Sequence, residues 1–591
     1  MSKSIDVAYI ALLLQTTPFG QPYYQRIVVV RLWDKLASAL TYCHNVSIPK
    51  SMLRTHSILL ITSIALCVQL HGQAPDSLWT RSYGSSLTEV GGQMSVNSFG
   101  NNMASAAFDL VDGGLYVSTY TPGNDGWVST NNGEDDIWVL KLDANGDTLW
   151  TRVLGGIGID RVYRMRAVST GGVILAGRTT NGAGLCTGFQ GQTDGLLVRL
   201  DASGNTLWSR CMGGSEQDFF YDVAENPAGN FVACGESGST NGDLAGAGNG
   251  LAWVQIVNGL NGVPVVSYAP LGPNGSNPDA LENFTIVTRM STESAYLLGG
   301  FTSPSFSDFN LDDIWVAKMD VVGNVLWSRS YGSTNARDGS AALVELPDGG
   351  FIIAGLLGGN GGFPQYLGGN GDGLLIRCDT DGNVVWSRNY GGSDWEYFND
   401  ATLDADGKLL VAGFSRSTNA QLTNTQSYGN ADHWLLKVEP STGDTIWTKR
   451  MGGPNFDAAT GVASSGTTNY LAMVGRSDGQ GGWISGNNGG RDLWVVRLSG
   501  DFSNGLQNDV RNNSTPLLYP NPANHVLALS ADQGIQRVRV QDIRGRLMLD
   551  HQLPHTLRTA IDVSPLPNGI YLLDAEMQDG SRQRERFVVQ H

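Results

Sequence analysis

Histidine is nearly missing from this chain of 591 residues: there are 8, and between Trp79 and Gly500 only His433 occurs. A mechanism that needs a histidine base, or a metal held by several imidazoles, has almost no material to draw on. Charge is also scarce and one-sided. Charged residues make up 16% of the chain and the formal net charge is −17. Residues 1–74 are net basic and residues 517–591 are balanced, so the negative excess lies between them. Phosphate neutralisation needs a basic surface, which excludes nucleic acid and anionic membrane as expected partners. Of the 6 cysteines, Cys186, Cys211, Cys234 and Cys378 lie beyond the N-terminal segment, and their spacing matches no zinc or redox motif. The notable apolar run, Ile58–Leu70, is too short for a comfortable transmembrane helix.

What the chain has instead is glycine (77 residues), tryptophan (15 residues) and a repeat. A Leu/Ile/Val-x-Trp-Ser/Thr-Lys/Arg phrase recurs at Trp79, Trp150, Trp208, Trp327, Trp386 and Trp447, and Val265-Val266-Ser267-Tyr268 is a degenerate copy midway along the one double-length gap. An Asp-x-Trp/Leu phrase recurs at Asp136, Asp194, Asp313, Asp372, Asp432 and Asp492, with a weaker copy ending at Trp253. Seven copies with a period of roughly sixty residues imply a radial or solenoid array. Each period holds four short alternating runs, in the second copy Thr148–Leu154, Tyr163–Val168, Val173–Ala176 and Leu196–Leu200. Turns such as Asp143-Ala-Asn-Gly and Asp201-Ala-Ser-Gly join them.

Four strands in each of seven units predict an all-β chain: a seven-bladed β-propeller over residues 75–499. The array opens on the Trp phrase at Leu78-Trp79-Thr80-Arg81 and closes on Asp492-Leu493-Trp494. Joined, these ends make one blade, so the first and last strands are expected to pair. A solenoid would need capping repeats instead. The repeated Trp residues are expected to pack between sheets, and Gly177, Gly235, Gly300, Gly355, Gly413 and Gly475 to mark a bulge or close contact. Cys211 and Cys234 are placed to pair on neighbouring strands, or to remain buried thiols.

The ends have a different character. Met52-Leu-Arg54 before the Ile58–Leu70 run, with Ala74 at its exit, reads as a secretory signal peptide over 52–74, and residues 1–51 as an upstream extension of the reading frame. Residues 500–516 form a polar linker. From residue 517 a compact module of about seven short strands is expected, a small Ig-like β-sandwich. Its residues Tyr519-Pro520-Asn521-Pro522, Asp542-Ile-Arg-Gly545-Arg546, Leu566-Pro-Asn-Gly569-Ile-Tyr571 and Phe587-Val-Val occur in one order and spacing. On these motifs, residues 517–591 resemble the type A C-terminal sorting domain of the type IX secretion system. The resemblance implies a Bacteroidota-type bacterium, export through the inner and outer membranes, engagement of the type IX machinery, and no transmembrane segment in the mature chain. Cargo of this family is released or fixed to the surface, usually after loss of the domain. The upstream repeats more loosely resemble the Gly/Asp/Trp propeller repeats that often precede such domains. The family gives an address, not a chemistry.

Within the array, the long loops before each Asp-x-Trp phrase carry Trp127, Phe189, Phe309, Tyr366, Tyr428 and Trp483. Aromatic rings among amides and hydroxyls suit a glycan or another surface partner; rings plugging the loops' own small cores are the competing reading. The Asp379–Gly382 and Asp404–Gly407 turns offer clustered oxygens to Ca²⁺, but hairpin turns explain them without a cofactor. Asp160, Asp218, Asp222, Asp338, Asp394, Asp400 and Asp457 are the material for a lyase or glycosidase, although most recur at one repeat position and so suit hydrogen bonding. A quinoprotein dehydrogenase is a weaker third reading. No catalytic residue and no metal ligand is assigned. The expectation is an exported, non-enzymatic binding or adhesion module, with a polysaccharide-degrading enzyme as its alternative.

Overall fold

Short alternating runs broken by Gly, Asn and Asp make strands almost throughout, and two single 3₁₀ turns, Gly242–Leu244 and Ala420–Leu422, are the helical elements among the described residues. In the computed structural model these residues are 77–89, 104–247, 251–270, 272–274, 281–303, 312–333, 336–359, 366–422, 425–465, 470–499, 517–519, 525–542, 546–578 and 582–590. The signal-peptide reading, the extension over 1–51 and the linker over 500–516 fall outside them. The chain divides into two compact units, Met1–Asp501 and Phe502–His591.

Among the described residues the first unit holds seven antiparallel four-stranded sheets. Sheet 1 is Ser105–Phe108, Leu115–Thr121, Asp136–Leu142 and Thr148–Leu154. Sheet 2 is Asp160–Ala167, Val173–Thr179, Asp194–Leu200 and Thr206–Met212. Sheet 3 is Asp218–Glu225, Phe231–Ser237, Ala252–Val257 and Pro264–Tyr268. Sheet 4 is Leu281–Arg289, Ala295–Ser303, Asp313–Asp320 and Val325–Tyr331. Sheet 5 is Gly339–Glu345, Phe351–Leu357, Asp372–Cys378 and Val384–Tyr390. Sheet 6 is Glu396–Leu403, Leu409–Ser415, Asp432–Val438 and Thr445–Met451. Sheet 7 is Asp457–Ser464, Leu471–Ser477, Asp492–Leu498 and, from the start of the array, Ser77–Tyr83. The expected pairing of first and last strands is present, with Thr80 opposite Val496 and Ser82 opposite Trp494. First strands lie against first strands from sheet 1 through sheet 7, and that of sheet 7 lies against that of sheet 1.

Both repeated phrases are explained by packing. Trp138, Trp253, Trp315, Trp434 and Trp494 of the third strands are fully buried. The indole N–H groups of Trp138, Trp315 and Trp434 each donate at 2.7 Å to a hydroxyl on the fourth strand, on Thr151, Ser328 and Thr448. That hydroxyl is the Ser/Thr of the Trp-Ser/Thr phrase. The Trp of the same phrase reaches across to the next sheet's hairpin: Trp79 Nε1 donates to Ala144 O at 2.8 Å, Trp150 Nε1 to Ala202 O at 3.0 Å, and Trp208 Nε1 to Gly259 O at 3.0 Å. In the degenerate copy, the Tyr268 hydroxyl takes over by donating to Val322 O. The turn glycines beneath these rings, such as Gly146 (φ 81°) and Gly204 (φ 78°), need the left-handed backbone that other residues resist.

The second-strand glycines sit opposite a bulge. Val162 faces Gly177, and the register shifts before Arg164; the same step recurs at Phe220–Gly235 and Phe398–Gly413. A Cβ at Gly177 would collide with Arg161 O, so the bulged backbone occupies the side-chain space. The sequence runs were cut short at this point: the first strand of sheet 2 starts at Asp160 rather than Tyr163, and its third at Asp194 rather than Leu196.

Two expectations need correction. Cys211 pairs with Cys186 of the loop before Asp194, with Cα atoms 5.6 Å apart, and not with Cys234. Cys234 lies in sheet 3, buried and unpaired, because the fourth strand of one sheet and the second strand of the next do not adjoin. In the second unit the described strands are five, Leu517–Tyr519, Val526–Asp542, Leu547–Asp562, Gly569–Met577 and Arg582–Val589, joined in one sheet. About seven short strands in a sandwich were expected. The backbone stays extended through Ser530–Gln536, so two runs read as separate are one long strand that changes partner from Leu517–Tyr519 to Gly569–Met577 along its length. Leu527, Ile535, Val540, Leu573 and Phe587 share its core.

Candidate functional site

The loop aromatics divide by surroundings. Trp127 is 42% exposed. Its backbone N–H donates to Gly84 O at 3.1 Å, and its ring meets Tyr83 edge-on at 5.3 Å. Trp483 occupies the matching place in sheet 7, its N–H donating to Gly452 O at 3.0 Å, but the indole is half-buried, with Lys449 Nζ 5.3 Å from its centre. Tyr428 meets Trp483 edge-on at 6.5 Å, so the structure brings these two rings together. Phe189 packs on the core around Cys211, and Tyr366 donates its hydroxyl to Gly369 O at 2.9 Å. Phe309 lies outside the described residues. The docking bond is general to the fold, since Asp243 N–H donates to Gly213 O and Gln421 N–H to Gly391 O in the same way. What distinguishes Trp127 is its exposed ring.

The carboxylates that could serve catalysis are mostly tied down. Asp160 accepts from Gly156 N–H at 2.7 Å, Asp218 from Gly214 at 2.8 Å, and Asp457 from Gly453 at 2.7 Å; Asp338 takes the Ser333 hydroxyl at 2.7 Å. The third-strand Asp does the same for its own loop: Asp136 holds Asn132 N–H at 2.6 Å and Asp492 holds Asn488 N–H at 2.7 Å. The Asp379 and Asp404 side chains likewise accept backbone N–H groups inside their turns. His433 is fully buried against Trp494, and burial pushes its imidazole down to about 3, so it stays neutral.

Repetition of buried carboxylates gives a pH signature. Burial pushes Asp194, Asp313, Asp372 and Asp457 each up to about 6. Their folded values exceed the unfolded value of about 4, so between those limits the folded state binds more protons and stability falls as pH rises. Opposing groups such as Glu439, held low by Lys408, contribute stability that is lost only as pH falls through their depressed values. Thermal unfolding is therefore expected to show a higher Tm at about pH 5 than at pH 7.5. A Tm that falls steadily from pH 8 to 5 would contradict this.

One cluster breaks the symmetry, and the sequence reading missed it as a unit. The first strand of sheet 2 carries three arginines, Asp160-Arg161-Val-Tyr-Arg164-Met-Arg166, where among the described residues the other first strands carry a single basic residue, Arg289 at the end of that of sheet 4. Arg164, 2% exposed, places NH1 3.0 Å from Asp400 Oδ1 of sheet 6 and donates from NH2 to Ala341 O in the first strand of sheet 5 at 3.4 Å. Arg166 grips Asp222 of sheet 3 with two bonds, 3.1 and 2.7 Å. Asp222 and Asp400 also accept Val287 and Val462 N–H groups, so the charges are both paired and hydrogen-bonded. The network floors a funnel of about 320 Å³ walled by the first strands of sheets 2 to 6, with Arg289 exposed at its rim. Three arginines on one inner strand were the available signal.

Comparison with known proteins adds the following. Residues 517–590 match the secretion system C-terminal sorting domain family. The chain is 23% identical over 399 residues to the regulatory protein FlaEY of Caulobacter vibrioides; the match covers 60% of this chain and 41% of that protein, so the chain spans about two fifths of its relative's length. Among solved structures it is similar to Saccharomyces cerevisiae Sqt1, with a TM-score of 0.35 and 10% identity over 71% of this chain and 100% of that one. It is also similar to a puromycin hydrolase variant complexed with PGG, with a TM-score of 0.34 and 14% identity over 71% of this chain and 57% of that one. The matched tail is a type IX sorting domain; it engages that secretion machinery and directs export to the cell surface or beyond. No helix among the described residues is long and apolar enough to cross a membrane.

Proposed function

We propose that the exported cargo is a seven-bladed β-propeller that binds a glycan on its loop face and carries out no chemistry on it. Four-stranded sheets in sevenfold repeat, with first strand paired to last, support the propeller reading. Export through the signal peptide at 52–74 and a Bacteroidota-type source belong to the same proposal. The observation that carries the ligand class is Trp127. Its backbone is pinned and its ring edge packed, yet much of its indole faces solvent. A pre-ordered aromatic face stacks on sugar CH groups at little entropic cost. The binding reading is further supported by the structural duties of Asp160, Asp218, Asp338 and Asp457, which leave few free carboxylates for glycoside cleavage.

The test is a broad bacterial, algal and plant glycan array probed with the exported chain, followed by product analysis on any hit. Selective binding that weakens about tenfold or more in Trp127→Ala, without release of shorter sugars, is the expected result. Binding unaffected by Trp127→Ala would move the site elsewhere, and released products would favour the enzyme.

A further inference from the structure

The funnel above the Arg164 network has two guanidinium groups to spare. Arg166 holds Asp222 through Nε and Nη2, which leaves Nη1 without a partner among the described residues, and its side chain is 39% exposed in the funnel wall. Arg289 is exposed at the rim, with no ion pair or hydrogen bond to its guanidinium among the described residues. The hydroxyl of Thr288 beside it is already committed, donating to Leu343 O at 2.8 Å.

Arg289 also departs from a pattern. Glu225, Arg289 and Glu345 end the first strands of sheets 3, 4 and 5. Both glutamates tie down the preceding sheet. Glu225 accepts from the Ser169 N–H at 2.8 Å and from its hydroxyl at 2.7 Å. Glu345 accepts the N–H groups and hydroxyls of Ser291 and Thr292 at between 2.6 and 3.0 Å. A guanidinium has only donors, so Arg289 cannot take such groups and is left for an acceptor from solution. The wall sets Arg164, Arg166 and Arg289 against Glu225, Glu345 and Asp400, with Ala224, Val344 and Ala401 as aliphatic surface. That balance decides the charge of the ligand. A singly charged acceptor gains charge-assisted hydrogen bonds from two guanidinium groups, whereas a dianion also meets the carboxylates.

We propose that the funnel binds a small aliphatic monocarboxylate, with Arg166 Nη1 and the Arg289 guanidinium on its oxygens and its chain against Ala224 and Val344. A cavity of about 320 Å³ lies at the small end of ligand pockets, which suits a compact acid and excludes a folded partner. The site is independent of what the loop face binds. It opens where the first strands end, whereas Trp127 lies between the second and third strands, at their other end.

The test titrates the full exported chain at neutral pH with hexanoate and, separately, with inorganic phosphate, followed by calorimetry. Hexanoate is expected to bind with a Kd of about 1 mM, the strength within reach of a ligand of about eight heavy atoms. Phosphate is expected to bind about tenfold more weakly or not at all. Arg289→Ala and Arg289→Glu change an exposed, unpaired side chain, so Tm should hold while hexanoate binding falls about tenfold or more. Arg388→Ala, at an exposed arginine paired with Asp444 on the outer strand of sheet 5, should leave binding unchanged. No heat of binding from hexanoate at about 10 mM, ten times the expected Kd, would overturn the proposal. Phosphate binding as tightly as hexanoate would overturn the choice of ligand, and hexanoate binding that survives both Arg289 variants would overturn the site.

Discussion

Arg164→Met is expected to destabilise the sheet-rich unit by about 3–5 kcal/mol, because it removes one partner from a buried ionic network. The Arg164 side chain is almost fully enclosed and lies 3.0 Å from Asp400 and 3.9 Å from Asp222. Asp222 would keep its two bonds from Arg166. Asp400 would keep only the Val462 N–H and would have to stay charged without a cation or take up a proton. Replacing both members should be far milder: Arg164→Met with Asp400→Asn is expected to recover most of the loss, since an apolar side chain beside a neutral amide carries no buried charge. Chemical denaturation of the two single variants and the double variant measures this coupling. A loss under about 1 kcal/mol for Arg164→Met would show that the link from sheet 2 to sheet 6 contributes little.

Deleting Ser77–Tyr83 is expected to cost more than any single substitution. The strand supplies the whole outer edge of sheet 7. With it go the fully buried Tyr83 ring, the Tyr83 hydroxyl bond to Gly146 O at 2.6 Å, the Trp79 bond to Ala144 O, and the Arg81–Asp147 pair. Asp492–Leu498, buried along its full length, would become an exposed apolar edge. Domain stabilities are about 5–15 kcal/mol, and a loss of several kcal/mol at one junction consumes much of that. The expected result is a broadened, low-temperature transition with aggregation, against one cooperative transition when truncation stops at residue 76. Tyr83→Phe gives a graded version, costing about 1 kcal/mol through the lost hydrogen bond. A truncated chain that unfolds with unchanged Tm and cooperativity would show that sheet 7 is complete without this strand.

Much of this was legible because repetition averages out local ambiguity. Trp79, Trp150 and Trp208 recur because each must reach the next hairpin, and Gly177 and its counterparts recur because a bulge fills their side-chain space. The seam between Ser77–Tyr83 and Asp492–Leu498 followed from two incomplete periods. Features outside the period were harder to see. Arg164 and Asp400 are far apart in sequence and meet only because first strands from different sheets converge. Cys211 was weighed only against Cys234 or as a buried thiol, and its pairing with Cys186 depends on a loop path that no periodicity encodes. In the second unit, Val526–Leu529 and Val538–Val540 read as separate runs, although the backbone continues between them as one strand. Exposure of the loop rings was also beyond the sequence: Trp127 and Trp483 have near-identical contexts, but Trp483 packs on the core of sheet 7 with Tyr428 and Lys449 beside it.

The most direct test of the pairing between the first and last strands is hydrogen–deuterium exchange of the exported chain, followed at the peptide covering Ser77–Tyr83. Pairing with Asp492–Leu498 predicts amides protected for hours, exchanging together with that partner strand. Complete exchange of this peptide within seconds, while Asp492–Leu498 stays protected, would mean that the first strand is a free arm and that the sheets are not joined end to end.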